Sequence, residues 1–229
     1  MEKKAVVLLS GGIDSTTTLA IAKSKGYKVY AITFDYGQKH KKEIEAAKNI
    51  AKYFNVEKHI IINIDLKSIG GSALTEDSIS IPKNRSLDQI KSGEIPITYV
   101  PGRNIIFLSF AVSFAEVVSA KDIFIGVNTI DFSGYPDCRD EFIKAFEKAI
   151  NLGTKTGVKG DKFKIHTPLI NLTKAEIIKE GYKLGVDFSL TWSCYDPCGD
   201  FHCGSCDSCI LRKEGFKKAE VPDPTSYLR

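Results

Sequence analysis

Residues 5–16 read Ala-Val-Val-Leu-Leu-Ser-Gly-Gly-Ile-Asp-Ser-Thr, and the architecture follows from this stretch. The apolar run over residues 5–9 predicts a buried parallel strand, because such strands are covered on both faces. Gly11 and Gly12 end the run, and the apolar spacing over residues 14–25 predicts a helix. A strand, a glycine turn and a helix in this order form the first unit of a parallel sheet.

Further strands and helices alternate along the chain in the same way. Strands are predicted at residues 28–34, 57–64, 122–127 and 163–168, and helices at residues 40–54, 104–120, 139–152, 173–184 and 211–219. The helix over residues 104–120 is apolar enough to be predicted as buried. Residues 65–101 are polar and contain several Gly and Pro residues, which is typical of a lid or binding loop. The alternation predicts an α/β fold with a doubly wound, mostly parallel, Rossmann-like sheet.

Composition limits the class of protein. The chain has 229 residues, of which 43% are hydrophobic and 26% charged, and its net charge is +4. These values fit one α/β domain, predicted over residues 1–187, followed by a small metal-binding segment and tail over residues 188–229. The mild basicity suits small anionic ligands and does not require nucleic acid. No run reaches the ~18 apolar residues of a membrane span, and a signal-peptide core is missing, so we expect a cytoplasmic protein without a membrane partner.

The loop over residues 10–16 is the strongest functional signal. Adjacent glycines let the backbone approach a ligand closely, and the start of the following helix presents free N–H groups to an anion. The pattern predicts a phosphate-binding loop formed by Ser10, Gly11, Gly12, Ile13, Asp14, Ser15 and Thr16. Asp14 is expected to hold Mg²⁺ or to align the loop. The alternative is a tight turn in which Ser and Asp side chains cap the helix.

Two common nucleotide motifs, G-x-x-x-x-G-K-[ST] and G-x-G-x-x-G, are absent from the sequence. The string from Ser10 to Ser15 instead resembles the PP-loop of the N-type ATP pyrophosphatases. This resemblance implies ATP as a co-substrate that is cleaved between its α- and β-phosphates, giving an adenylated carboxyl or amide. We expect Asp35 and Gly37 to bind the adenosine, because open α/β sheets bind ligands beyond the carboxyl ends of their strands.

Arg103 begins the apolar helix that follows Pro101-Gly102. A cation at a helix N-terminus is unfavourable unless an anion lies nearby. We therefore expect Arg103 to contact a phosphate or carboxylate, and we group it with Asp14 and Ser15 as the catalytic residues. The alternative for Arg103 is a structural salt bridge.

Five of the six cysteines follow one another with the spacing C-x3-C-x4-C-x2-C-x2-C. Clustered cysteines in a reducing compartment indicate metal binding rather than disulfides. Cys203, Cys206 and Cys209 supply three ligands for a closed, structural zinc site, and Cys194 or Cys198 supplies the fourth. An iron–sulfur cluster is the alternative, although the fourth cysteine of the ferredoxin run is absent.

Four segments together resemble the QueC family of queuosine biosynthesis, and the resemblance covers nearly the whole chain. They are residues 10–16, residues 35–40 (Asp-Tyr-Gly-Gln-Lys-His), residues 131–139 (Asp-Phe-Ser-Gly-Tyr-Pro-Asp-Cys-Arg), and residues 191–195 (Thr-Trp-Ser-Cys-Tyr) leading into residues 203–209. The resemblance implies an adenine nucleotide alpha hydrolase-like fold and a homodimer. It also implies zinc ligands at Cys194, Cys203, Cys206 and Cys209.

The chemistry that the resemblance implies is a ligase reaction that forms C–N bonds. ATP activates the carboxylate of 7-carboxy-7-deazaguanine, ammonia gives the amide, and a second activation gives the nitrile. We expect Asp131, Asp137 and Arg139 to read this substrate, because carboxylates accept from its donor edge and Arg binds its carboxylate as a fork. Cys138 lies in the same loop and is a less favoured alternative as a nucleophile.

Three other functions stay open on the sequence alone. A relative that stops at the amide would share all of these motifs. A tRNA-modifying PP-loop enzyme and a zinc-ribbon nucleic-acid-binding module would each bind nucleic acid, for which a larger basic surface is typical. We therefore expect small-molecule substrates and no direct nucleic-acid partner.

Overall fold

The computed structural model describes residues 2–129 and 135–228, in which five strands form one sheet. Every neighbouring pair runs parallel, in the order β3-β2-β1-β4-β5. The strands are β1 Lys4–Leu8, β2 Lys28–Asp35, β3 Lys58–Asn63, β4 Asp122–Phe124 and β5 Lys164–His166. The predicted α/β class and parallel sheet are confirmed, and the strand order reverses between β1 and β4.

Eight helices connect or flank these strands in the described part of the chain. They are α1 Ile13–Ser24, α2 Lys42–Tyr53, α3 Leu87–Ile90, α4 Arg103–Val118, α5 Asp140–Gly153, α6 Lys155–Val158, α7 Lys174–Lys183 and α8 Asp207–Ala219. The capping box predicted before α7 is present: Thr173 accepts from the Glu176 backbone N–H, and Glu176 accepts from the Thr173 N–H at 2.7 Å.

The core lies on both faces of the sheet, as expected for a parallel sheet covered by helices. Side chains of β1 alternate between the two faces, so that Val6 and Leu8 pack with α4 while Val7 packs with α1 and α2. A third apolar cluster joins α1 to α7 and α8 and includes Ile177 and Phe216. The C-terminal helix is therefore packed on the α/β domain, on the helix that begins at the glycine loop.

The prediction that the apolar helix is buried was only half right. One face of α4 packs on the sheet, but Ile105, Phe110 and Val117 are 45%, 40% and 81% exposed. No described helix is long and apolar enough to cross a membrane. Two strands are shorter than predicted, because the chain leaves the sheet after Phe124 and after His166. The last helix begins at Asp207, earlier than residue 211.

Residues 65–101 contain α3 as their one helix and pack against the cysteine-rich segment. The Arg85 guanidinium donates to both carboxylate oxygens of Asp207, with the Nε–Oδ1 distance at 3.0 Å. The Asn84 N–H donates to the Ser205 carbonyl at 2.8 Å. Because Asp207 follows a predicted metal ligand directly, the long connection is attached to the cysteine cluster.

Candidate active site

The loop predicted to bind phosphate lies between β1 and α1, at the carboxyl edge of the sheet. Its serines hold each other: the Ser10 backbone N–H donates to Ser15 Oγ at 3.1 Å, and Ser15 Oγ donates to the Gly12 carbonyl at 3.1 Å. The loop leads directly into the first turn of α1, whose N–H groups have no partner within the helix. This geometry presents hydroxyl and amide donors to an anion.

A cavity of about 270 Å³ opens above this loop. It lies between the ends of β1 and β4, where the strand order reverses, which is the place expected for a ligand in an open α/β sheet. Six residues predicted for the site line it: Ser10, Gly12, Ile13, Asp14, Ser15 and Arg103. The fold thus brings the phosphate loop and Arg103, which is 88 positions after Ser15, to one cavity.

Lys174 also lines the cavity and binds the loop's carboxylate. Its Nζ lies 2.6 Å and 2.7 Å from the two carboxylate oxygens of Asp14, and both side chains are largely buried. The capping box positions this contact, because it fixes the first turn of α7 where Lys174 begins the helix. In sequence alone, Lys174 is equally consistent with an exposed helix lysine.

Four residues predicted to bind the nucleotide do not line the cavity. Thr16 is fully buried, and its hydroxyl donates to the Gly12 carbonyl at 2.8 Å, so it stabilises the turn. Gly11 packs its Cα against the backbone of α2. Asp35 forms an ion pair with Lys41 at 2.8 Å, and Gly37 packs against Lys67. The end of β2 reaches the cavity through Thr33, Phe34 and Tyr36 instead.

Of the three residues predicted to bind the substrate, the two that the structure describes do not line the cavity. Asp131 lies outside the described residues. Asp137 is buried, and its carboxylate accepts from the Asn104 backbone N–H at 2.9 Å, so it caps the start of α4. Arg139 is exposed just before α5 and lies away from the cavity. Asp137 therefore holds the first turn of α4, which begins with Arg103, while Arg139 does not line the cavity.

One part of the cavity wall carries two half-buried, oppositely charged residues that the sequence does not reveal. Glu43, in the first turn of α2, and Arg103 both line the cavity, together with Tyr36 and Tyr195. Burial raises the pKa of Glu43 to about 7, and the nearby positive charge of Arg103 offsets only part of this shift. The Arg103 guanidinium also lies 5.8 Å from the centre of the Tyr36 ring.

The cysteine cluster matches a metal site. The sulfur atoms of Cys194, Cys203, Cys206 and Cys209 lie within 4.8 Å of one another, and three of these residues are buried. Four thiolates at this separation suit the tetrahedral coordination of Zn²⁺. Cys198 is exposed and outside the group, so the structure favours Cys194 as the fourth ligand.

The cysteine segment also forms part of the cavity wall. The Trp192 N–H donates to the Gly11 carbonyl at 2.9 Å, which ties this segment to the phosphate loop. Arg212 of α8 is 1% exposed and donates to Asp223 at 3.1 Å and to Thr191 Oγ1 at 2.8 Å. Trp192, Tyr195 and Arg212 all line the cavity. The cysteine segment and the glycine loop therefore line one cavity.

A parallel sheet in the order 3-2-1-4-5, with a Ser-Gly-Gly loop at its switch point, defines a phosphate-binding α/β protein of the PP-loop class. The sequence model for "Queuosine biosynthesis protein QueC" matches residues 4–220. The chain belongs to the QueC family.

Individual relatives agree with this assignment over their full length. The chain is 58% identical to 7-cyano-7-deazaguanine synthase from Desulfatibacillum aliphaticivorans, over 99% of this chain and 97% of the relative. It is 57% identical to the protein of the same name from Citrifermentans bemidjiense, over 100% of both chains. Among solved structures, the NMN synthetase from Francisella tularensis is similar at 16% identity and a TM-score of 0.49, over 96% of this chain and 78% of that one.

Proposed function

We propose that this protein is an ATP-dependent ligase that converts 7-carboxy-7-deazaguanine and ammonia to 7-cyano-7-deazaguanine. The observation that carries the proposal is the 54–58% identity, over essentially the full chain, to relatives named 7-cyano-7-deazaguanine synthase. The cavity above the glycine loop supports it, because that loop offers donors for phosphate. The substrates are small molecules, and no nucleic acid takes part directly.

The proposed reaction uses two activations. The carboxylate attacks the α-phosphorus of ATP, pyrophosphate leaves, and ammonia then displaces AMP to give the amide. The amide oxygen attacks a second ATP and pyrophosphate leaves in the same way, and loss of AMP and of both amide N–H protons gives the nitrile. The loop residues Ser10, Gly12 and Ser15, with Lys174, are the groups we assign to orienting the triphosphate and stabilising the leaving pyrophosphate.

Two metals fit the residues present. Mg²⁺ neutralises phosphate charge when it is bound with ATP, and Asp14 is the loop carboxylate available to it. Lys174 now neutralises Asp14, so we propose that this lysine transfers to a phosphate when the nucleotide binds. Zn²⁺, held by the four clustered cysteines, would cross-link the C-terminal segment. We propose a cytoplasmic location, because a reducing compartment keeps the four cysteine thiols free to bind Zn²⁺.

Product analysis tests the proposed function. The purified protein is incubated with Mg-ATP, ammonium and 7-carboxy-7-deazaguanine, and bases and nucleotides are identified by mass spectrometry. We expect the nitrile together with AMP. The amide as a stable end product would indicate the amide-forming relative instead. Folded, metal-loaded protein that gives no turnover would contradict the proposal and make a tRNA substrate the next one to test.

Replacing Cys138 with serine is expected to leave activity within about threefold of wild type. Burial raises the pKa of the Cys138 thiol to about 12, so a thiolate nucleophile is strongly disfavoured at neutral pH. The mechanism above needs no thiol, and the Asn104 amide that now donates to Cys138 Sγ would donate equally well to a hydroxyl. Steady-state kcat and KM of the C138S variant measure this. A loss of 100-fold or more with an unchanged melting temperature would show covalent catalysis.

We propose that the exposed face of α4 forms a homodimer contact. Ile105, Phe110 and Val117 are exposed there, with Ser109 and Ser113 between them. An apolar helix face with small residues allows two helices to pack closely. Light scattering after gel filtration should give twice the chain mass for wild type and a single chain mass for Ser113→Arg, whose long charged side chain would block packing. A monomeric wild type, or a dimeric S113R, would contradict this contact.

A further inference from the structure

The Glu43 carboxylate faces the cavity without a protein partner in the part of the chain that the structure describes. No hydrogen bond or ion pair within residues 2–129 and 135–228 engages it, although it is half-buried and lies beside Arg103. Partial burial without a partner disfavours the charged carboxylate, so a ligand that donates hydrogen bonds to it would offset this cost. The Arg103 guanidinium likewise lacks an ion-pair partner among these residues.

The residues around this pair come from three separate elements. Tyr36 follows β2, Arg103 begins α4, and Tyr195 belongs to the cysteine segment, and each of them interacts electrostatically with Glu43. All four residues line the same cavity. The two tyrosine rings add flat, apolar surface, which suits a planar heterocycle. The wall thus combines an acceptor, a donor and aromatic faces.

This combination matches one edge of a guanine-type base. Such an edge presents a carbonyl oxygen, then a ring N–H and then an exocyclic amine. A carboxylate can accept from the N–H and the amine together, while a guanidinium donates to the carbonyl. Asp137 and Arg139 were predicted to bind the base, but the structure gives them other positions. Asp137 caps α4, and Arg139 lies away from the cavity.

We propose that Glu43 and Arg103 form the subsite that reads the base: Glu43 accepts from its ring N–H and exocyclic amine, and Arg103 donates to its carbonyl. The identity of the base rests on the proposed function. The position of the subsite follows from the cavity, which both Glu43 and Arg103 line. Glu43 lies in the turn of α2 whose backbone packs on Gly11, so the base would be held next to the phosphate loop.

The subsite predicts a pH dependence of binding. Only the ionised carboxylate accepts two hydrogen bonds, and burial raises the pKa of Glu43 to about 7. The charged and titratable groups that face it, Arg103, Tyr36 and Tyr195, keep their protonation states between about pH 6 and about pH 8. Affinity for the base should therefore rise about tenfold across this range.

Calorimetric titration of the base and of an analogue without the exocyclic amine tests the assignment. On wild type, loss of the amine should weaken binding at least tenfold. In Glu43→Gln the affinity for the full base should fall at least tenfold, and removing the amine should then cost clearly less than on wild type, because the amide keeps one acceptor oxygen and turns an NH2 donor toward the base in place of the other. Glu45→Gln, on the exposed side of the same helix, is the matched control and should behave as wild type.

ATP titration and melting temperature of the same variants separate loss of the subsite from loss of the fold. Glu43→Gln should bind ATP within about twofold of wild type. If this variant keeps wild-type affinity for the base, or the same penalty for the missing amine, the subsite is overturned and the proposed function still stands. If wild type binds ATP but not the base, the proposed function is overturned and the subsite falls with it.

Discussion

Replacing Gly11 with alanine should reduce turnover at least 100-fold and lower the free energy of unfolding by about 3 kcal/mol. Gly11 has a φ of +84°, which an L-residue rarely adopts. A Cβ at this position would lie 2.8 Å from the Ala47 backbone nitrogen and still closer to the Glu43 carbonyl oxygen. Because backbone atoms of a helix cannot rotate away, either α2 or the phosphate loop would have to move.

The displacement would affect every part of the proposed site. It would shift the donors of residues 10–15 relative to Lys174 and Arg103, and it would move Glu43 directly. Steady-state kinetics and urea unfolding measure the two effects. Gly153→Ala is the matched control, since a Cβ there meets no atom within 4 Å, and it should match wild type in both assays. Near-normal turnover of G11A would contradict the assigned role of the loop.

Removing the metal should unfold the cysteine segment and abolish activity. Structural zinc sites contribute on the order of 10 kcal/mol of apparent binding free energy, and the residues around the cluster offer few large apolar side chains to replace it. The same segment supplies Trp192 and Tyr195 to the cavity wall and binds Gly11 through the Trp192 N–H. We therefore expect chelation, or Cys209→Ser, to eliminate turnover and lower the melting temperature by more than 10 °C.

Cys198 provides the matched control for this experiment. It lies in the same segment but is exposed and outside the group of four sulfur atoms. Elemental analysis should find one zinc ion per chain in wild type and in Cys198→Ser, and much less than one in Cys209→Ser. Wild-type protein that is fully active without metal would contradict the structural role. Loss of zinc in C198S would contradict the ligand set.

Local sequence was sufficient for most of the fold. The apolar run of β1, the glycines after it and the capping box of α7 each specify a conformation through interactions within a few residues. The ends of several elements differ from the predicted ones, because tertiary packing decides where the chain leaves a strand or enters a helix. The apolar composition of α4 predicted a buried helix, whereas Val117 and Phe110 are exposed, because composition alone cannot show how many faces of a helix are covered.

Part of the candidate site could likewise be predicted from local sequence, and part depends on tertiary contacts. Contiguous patterns revealed the loop over residues 10–15 and the cysteines, since each is a local motif with its own chemistry. The contacts of Lys174 with Asp14, of Arg103 with the cavity and of Asp137 with α4 join residues far apart in the chain. No local pattern distinguishes Glu43 from the exposed Glu45 two residues later. Only the packing of α2 on the phosphate loop half-buries one carboxylate in the cavity wall and leaves the other exposed, because burial depends on which distant elements cover each face of a helix.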